Sequence, residues 1–346
     1  MDPAPRKHLL GLDGLRGVAA MAVVAHHVAV LRDWVGPFDH AYLAVDFFFL
    51  LSGYVLGLAY EGRFNRGLGV LEYLRIRLIR LMPMVAVGAL LGACYWIAMR
   101  EAPVTIAMIF VLQVAFIPIV SGERGLYPLN DVQWSLLFEL LINVLHALLF
   151  RLATTARLVA WVVGSGAALI AINQHYQTLD VGWNVENFPG GIFRVAFAFP
   201  AGLLVYRLQA IGRLPTIRTP YAMVVVALAS MLALPGFAPA TDWVFVIVAF
   251  PALMLVAIHA EPPRWMNRPA LWAGAVSYPL YAIHDPLLDI AVTLRPADGS
   301  ELLRMGFWAV AVGLIIVIAS WVERYIDRPA RLMLTTPAGD RKNRVG

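Results

Sequence analysis

Few side chains in this sequence can do chemistry, and most of them lie in stretches apolar enough to enter a membrane. Residues 11–30, GLDGLRGVAAMAVVAHHVAV, carry Asp13, Arg16, His26 and His27. A guanidinium holds anions, and an imidazole exchanges a proton near neutral pH. Arg16 and His27 are eleven positions apart. On a helix that is about 16 Å along the axis and within roughly 20° of the same face, whereas His26 is displaced by about 80°. Arg16 and His27 therefore read as a pair, and His26 as a packing residue. Asp46 and Glu139 each fall about two turns inside an apolar stretch, where a carboxylate is costly and is kept for a partner or a cavity. His27, Asp46 and Glu139 are expected at matching depth as one site, with an acid orienting the imidazole as in a triad. Ser135, Glu139, Asn143 and His146 recur at helical spacing as one polar stripe, with His146 placed toward the headgroups. The stretch YLRIRLIRLMP supplies Arg75, Arg77 and Arg80. Arg77 and Arg80 share a face, and with Arg16 they suit a polyphosphate; they serve equally to fix topology. Arg194, four residues inside its own apolar stretch, either reaches outward past the apolar core or holds an anionic substrate.

The elements that must position these groups are helices in a bilayer. Of 346 residues, 60% are hydrophobic and only 14% charged, well below the quarter or so charged in soluble domains. Mean hydropathy is +0.73. Successive apolar runs of about 17 to 23 residues are each long enough to cross, and strand alternation is absent. The fold class is an all-α polytopic membrane protein. Ten spans are expected, near 9–32, 40–60, 75–98, 132–150, 156–173, 190–207, 220–235, 241–258, 270–294 and 302–324. The proline-bounded segment 103–118, PVTIAMIFVLQVAFIP, is the ambiguous piece. If it does not cross, 21 of the 27 Lys and Arg face the same side as the N-terminus; if it does, only 12 do. The positive-inside rule therefore favours ten spans, both termini cytoplasmic, and 103–118 as a re-entrant or surface-lying segment. Residues 1–330 read as one membrane-embedded domain and 331–346 as a short basic cytoplasmic tail.

Several function classes drop out. A single cysteine, Cys94, excludes an internal disulfide framework and a cysteine-based metal site. The net charge of +5 reports topology and calls for no nucleic acid. No cleavable signal follows the first apolar run. Loop 174–189, QHYQTLDVGWNVENFP, lacks Lys and Arg, faces outward on this topology, and suits a sugar-like partner. Gly53 and Gly57 sit at the spacing of close helix packing. A polar-lined transporter with a basic inner mouth is the rival class, although no inverted repeat is visible.

Six motifs, in order, then resemble a known family: LDGLRG with the Arg16–His27 pair, AVDFFFLLSGYVLG, RLIRLMP, WSLLFE, SYPLYAIHDPLL and ERYIDRPAR. The chain resembles the acyltransferase-3 family of bacterial integral-membrane O-acyltransferases over nearly its whole length, in a form without a fused SGNH-type domain. The resemblance implies transfer of an acyl group, usually acetyl, from cytoplasmic acyl-CoA to a hydroxyl of an extracytoplasmic acceptor. That acceptor is typically a surface polysaccharide and in some relatives a lipid, a macrolide or another small molecule. It places the chain in the bacterial plasma membrane. It also implies that His27 is catalytic, Arg16 serves the donor and Glu139 is functionally important, while Pro279 departs from the family's usual small polar residue and is expected to kink its helix locally. On this reading Arg16, Arg75, Arg77 and Arg80 hold acyl-CoA, and the pantetheine arm spans the distance to His27. Asp46 or Glu139 orients the imidazole. Trp134, Ser135, Asn143, Arg194, Tyr281 and His284 are candidates for acceptor contact or oxyanion donation. Base catalysis by His27 and a covalent acyl-histidine both fit these residues. No metal is needed, because the thioester is already reactive.

Overall fold

The computed structural model describes residues 5–120, 125–234, 238–296 and 300–335. They form eleven helical segments and, among the described residues, no strand. In chain order these are α1 (Pro5–Leu31), α2 (Ala44–Asn65), α3 (Val70–Ala98), α4 (Pro103–Val114), α5 (Gln133–Leu149), α6 (Thr155–Tyr176), α7 (Phe188–Ala210), α8 (Tyr221–Ala233), α9 (Pro239–Ala257), α10 (Asn267–Leu294) and α11 (Glu301–Leu334). All ten expected spans are helical. Seven helices are long and apolar enough to cross a membrane, and α4, α5 and α8 are shorter apolar helices. The chain is a polytopic helical membrane protein. Of the expected basic tail, residues 331–335 continue the last helix; 336–346 and Arg124 lie outside the described residues.

Backbone in a bilayer has no water to satisfy it, so each proline inside a helix leaves a carbonyl in need of a donor. Two such carbonyls are met by side chains from elsewhere. Pro200 in α7 frees the carbonyl of Ala196, which accepts from Trp161 Nε1 at 2.8 Å. Pro286 in α10 frees the carbonyl of Ala282, which accepts from Asn130 Nδ2 at 2.7 Å. The helix α10 is continuous through both Pro279 and Pro286. Asn130 and the Asp131 amide, which donates to Asp285 Oδ2 at 2.8 Å, thus tie the segment leading into α5 onto α10.

Two close helix pairs set the frame. The helices α2 and α7 cross at glycine: a methyl group on Gly53 would meet the Phe199 carbonyl, and one on Gly202 the Leu50 carbonyl. Along α1 and α10, Gly14 faces Ala270, Gly17 faces Ala273 and His27 faces His284. Rising numbers on one helix meet rising numbers on the other, so α1 and α10 run parallel; α2 and α7 do likewise, from Asp46–Arg194 to Gly57–Leu203. Parallel pairing in both cases fits a chain whose direction is not reversed by α4. At 12 residues, α4 extends about 18 Å, short of a roughly 30 Å core. It ends against the segment before α5, where buried Gln113 accepts from the Leu129 amide at 3.1 Å and donates to the Asn130 carbonyl at 3.4 Å.

Candidate active site

Arg16, Arg77 and Arg80 converge. They line a cavity of ≈ 190 Å³ together with Phe48, Ser52, Ser135, Glu139, Ser277, Tyr278 and Tyr281. Arg16 stands one turn above Asp13, with Nη1 3.4 Å from its carboxylate. On α3, Arg77 pairs with Glu139 of α5 at 2.7 Å, and the Ser52 hydroxyl donates to the same carboxylate oxygen at 3.2 Å. The Arg80 guanidinium lies 5.0 Å from the Tyr278 ring centroid and 3.6 Å from Asp327. The wide π-turn of α11, Glu323–Asp327, carries Asp327, which also pairs with Arg331 at 2.7 Å. The beginnings of α1 and α3 and the end of α11 therefore gather at one end of the bundle. Arg75 does not join them. It is exposed and does not line the cavity, because two residues rotate a helix by about 200° and turn it away from Arg77.

Three guanidinium groups, each within 3.6 Å of one carboxylate and the closest of them the Arg77–Glu139 pair, give the cavity donors that suit an anion with several oxygens. Its far wall is aromatic. Phe48 and Tyr281 line it with ring centroids 5.7 Å apart. The Tyr281 hydroxyl and Ser135 Oγ are hydrogen-bonded at 2.7 Å.

Beyond that wall stands His27, eleven residues along α1 from Arg16. Neither His27 nor His284 lines the cavity. Tyr281 touches both regions, since its ring centroid lies 5.8 Å from that of His284. His27 Nδ1 is 2.9 Å from the Val23 carbonyl oxygen and 3.4 Å from His284 Nε2, and the two rings meet edge to face at 4.8 Å. His284 is fully buried; His27 is half-buried. His26, by contrast, is buried, with Nδ1 3.0 Å from the Phe38 carbonyl oxygen.

The carboxylates expected beside His27 are elsewhere. Asp46 and Arg194 form an ion pair with both side chains at 0% exposure. Arg194 donates to Asp46 through Nε and Nη2, to the Val181 carbonyl at 2.9 Å and to the Tyr42 carbonyl at 3.0 Å. Its guanidinium also lies 5.1 Å from the ring centroid of buried Trp134. Arg194 thus neither reaches outward nor presents a free donor to a substrate; it stitches α2, α7 and the 174–189 loop together. Glu139 faces Arg77 inside the cavity. Asn143 is fully buried and accepts from Tyr73 at 3.4 Å, outside the cavity. His146 is also buried, boxed by the rings of Phe64, Phe199, Tyr73 and Phe150 rather than placed at the headgroups. The expected single site of His27, Asp46 and Glu139 is not formed: Glu139 sits with Arg16 and Arg77 around the cavity, Asp46 with Arg194, because position along a helix leaves the azimuth of each side chain free, and azimuth decides who meets whom. Ser52, Tyr278 and Asp327 were not singled out from the sequence. Tyr278 lies three residues before Tyr281, on the same helical face, and that spacing was the available signal.

The chain is thus of the class of helical membrane proteins, and combines that fold with an arginine-lined cavity and, outside it, a histidine pair. Comparison with known proteins gives the class a family. The family pattern described as "Acyltransferase domain" matches residues 9–324, and the chain belongs to this family, acyltransferase-3. It is 24% identical to the O-acetyltransferase OatA of Staphylococcus aureus over 94% of this chain, spanning 57% of OatA's length. It is 25% identical to the putative membrane-bound transacylase BcsY of Komagataeibacter xylinus, over 93% of this chain and 84% of that one. A third relative, "Protein 2 in picA locus" of Rhizobium radiobacter, is 32% identical over 42% of this chain and 85% of its own length. No solved structure matches.

Proposed function

We propose that this membrane acyltransferase moves an acetyl group from cytoplasmic acetyl-CoA to a hydroxyl of an extracytoplasmic carbohydrate, in the plasma membrane of a bacterium. The observation that carries the reading is the division of α1. Its arginine joins Arg77 and Arg80 around one cavity, and its histidine stands about 16 Å further along, past the Phe48–Tyr281 wall. The Lys and Arg bias assigns the arginine end, with both termini, to the cytoplasm. There the nucleotide and phosphates of the donor bind against Arg16, Arg77 and Arg80, and the pantetheine arm carries the thioester toward His27. The names of OatA and BcsY support acyl transfer by such a protein.

In the proposed step the acceptor hydroxyl oxygen attacks the thioester carbonyl carbon as its proton passes to the His27 imidazole. The carbon–sulfur bond then breaks, and the proton returns from the imidazole to sulfur. The products are an O-acyl ester and free CoA thiol. A general base of this kind contributes roughly 10²- to 10⁴-fold.

The test uses membrane vesicles carrying the protein, with [14C]acetyl-CoA supplied at the cytoplasmic face and label measured on envelope carbohydrate. His27→Ala abolishes labelling, His26→Ala retains it, and Arg16→Ala raises the apparent KM for acetyl-CoA. Undiminished transfer by His27→Ala overturns the chemistry, and unchanged donor KM in Arg16→Ala moves the donor site elsewhere.

A further inference from the structure

Two ring nitrogens decide what His27 can do, and the surroundings of His284 decide their protonation. His284 Nδ1 lies 2.8 Å from the Tyr281 carbonyl oxygen and 3.2 Å from that of Leu280. Carbonyl oxygens only accept, so Nδ1 of His284 carries the hydrogen. In the neutral ring its Nε2 then holds a lone pair, and that lone pair faces His27 Nδ1. His27 Nδ1 itself has two acceptors around it, Val23 O at 2.9 Å and His284 Nε2 at 3.4 Å. It must therefore be the protonated nitrogen of its own ring. The consequence falls on the other side of that ring: His27 Nε2 is left with the lone pair.

We infer that His284 is a positioning residue, which holds His27 with Nε2 as the basic atom and stabilises the imidazolium through its own Nε2 lone pair. It fills the place that an aspartate fills in a hydrolase triad, and the polar contacts of His27 among the described residues are to Val23 and His284. When His27 takes the acceptor's proton on Nε2, its Nδ1–H becomes a charge-assisted donor, a class of bond roughly twice as strong as a neutral one. His284 meets it with a lone pair already in place. A fully buried imidazole has no water to turn toward, and its Nδ1–H is held by the turn below, so the lone pair cannot swing away. The parallel packing of α1 on α10 is what brings the two rings together. The same geometry excludes His284 as an oxyanion donor, since its one N–H is committed to backbone carbonyls. It also fixes Nε2 as the atom that would carry the acyl group if an acyl-histidine forms.

This inference rests on His27 as the base, and the experiment separates the two. First, 15N-histidine NMR of the wild-type protein in nanodiscs, assigned by His27→Gln and His284→Gln, reads each ring's tautomer without any turnover. The expectation is Nδ1–H for both rings; a His284 ring with its proton on Nε2 overturns the inference, whatever the activity. Second, kinetics compare His284→Leu with His284→Gln, whose side-chain oxygen restores an acceptor facing His27. The leucine variant is expected to lower kcat by roughly 10- to 10³-fold, within the whole contribution of a general base, with KM for acetyl-CoA unchanged. The glutamine variant is expected to recover most of it. A folded leucine variant with wild-type kcat, or equal loss in both variants, defeats the inference. If His27→Ala retains transfer, the functional reading fails while the tautomers stand.

Discussion

Replacing Asp46 by alanine separates a structural from a chemical carboxylate. In the fold Asp46 takes three hydrogen bonds from Arg194, at 3.1, 3.2 and 2.7 Å, and neither side chain has any exposure. Removing the carboxylate leaves a guanidinium sealed among apolar neighbours with only two carbonyls to receive its donors. Breaking a buried pair in this way costs about 3–5 kcal/mol, most of it the uncompensated charge. That is a large part of the 5–15 kcal/mol by which folded proteins usually exceed their unfolded chains. At about 2 °C per kcal/mol for a chain of this size, Tm is expected to fall by roughly 6–10 °C. Detergent-solubilised protein, heated and then passed over a size-exclusion column, reports the folded fraction. The double variant Asp46→Leu/Arg194→Met removes both charges and is expected to regain most of the loss, because two apolar side chains replace a buried pair at little cost. The reasoning is refuted if Asp46→Ala melts with the wild type yet transfers no acyl group. Asp46 would then act on the reaction, and its contact with Arg194 would be incidental.

Three further outcomes follow from other contacts. Gly53→Ala drives a methyl group into the Phe199 carbonyl of α7, whereas Gly164→Ala meets nothing within 4 Å; the first is expected to lose upwards of about 1–3 kcal/mol and the second to gain up to about 1 kcal/mol, read as opposite shifts in Tm. Arg77→Ala releases Glu139 from its 2.7 Å pair and removes one of three cavity cations, so the Kd for acetyl-CoA is expected to rise, and Arg77→Lys to restore it in part, read by equilibrium binding. Asp131, outside the spanning segments, has its carboxyl pushed well above the usual range by burial and then by the neighbouring Asp285, Asp180 and Asp289. A raised acid disfavours its charged form in the fold, so it detracts from stability as pH climbs past the ordinary value of about 4. Asp131→Asn is thus expected to match the wild-type Tm below pH 4 and to exceed it increasingly toward neutrality, in a pH series of melting curves.

The architecture was largely legible because apolar length is a local property. Every stretch read as a span is a helix, and the eleven-residue step from Arg16 to His27 put the two groups on one face before any tertiary contact was known. What sequence left open was pairing between helices. Asp46 and Arg194 are 148 positions apart, yet each lies within about two turns of the start of its apolar stretch. Opposite charges at equal depth in an apolar medium have strong reason to meet, and that argument, applied to Arg194 as it was to His27, would have joined them. The contact between His27 and His284 had no such signal. It depends on α1 and α10 running parallel in one register, which is set by glycine and alanine at their crossing, residues whose spacing permits many registers.

The aromatic wall between cavity and histidines has a consequence for water. A thioester is prone to hydrolysis, and a base poised beside it would promote that reaction whenever the acceptor is missing. If the proposed donor occupies this cavity, the rings of Phe48 and Tyr281 that line it stand between its acyl group and His27, and would shield the thioester from the base until they shift. Under the proposed function Phe48 and Tyr281 would be the seal of an airlock, with one door to the cell and one to its surroundings, and the economy of the donor pool would depend on the doors not standing open together.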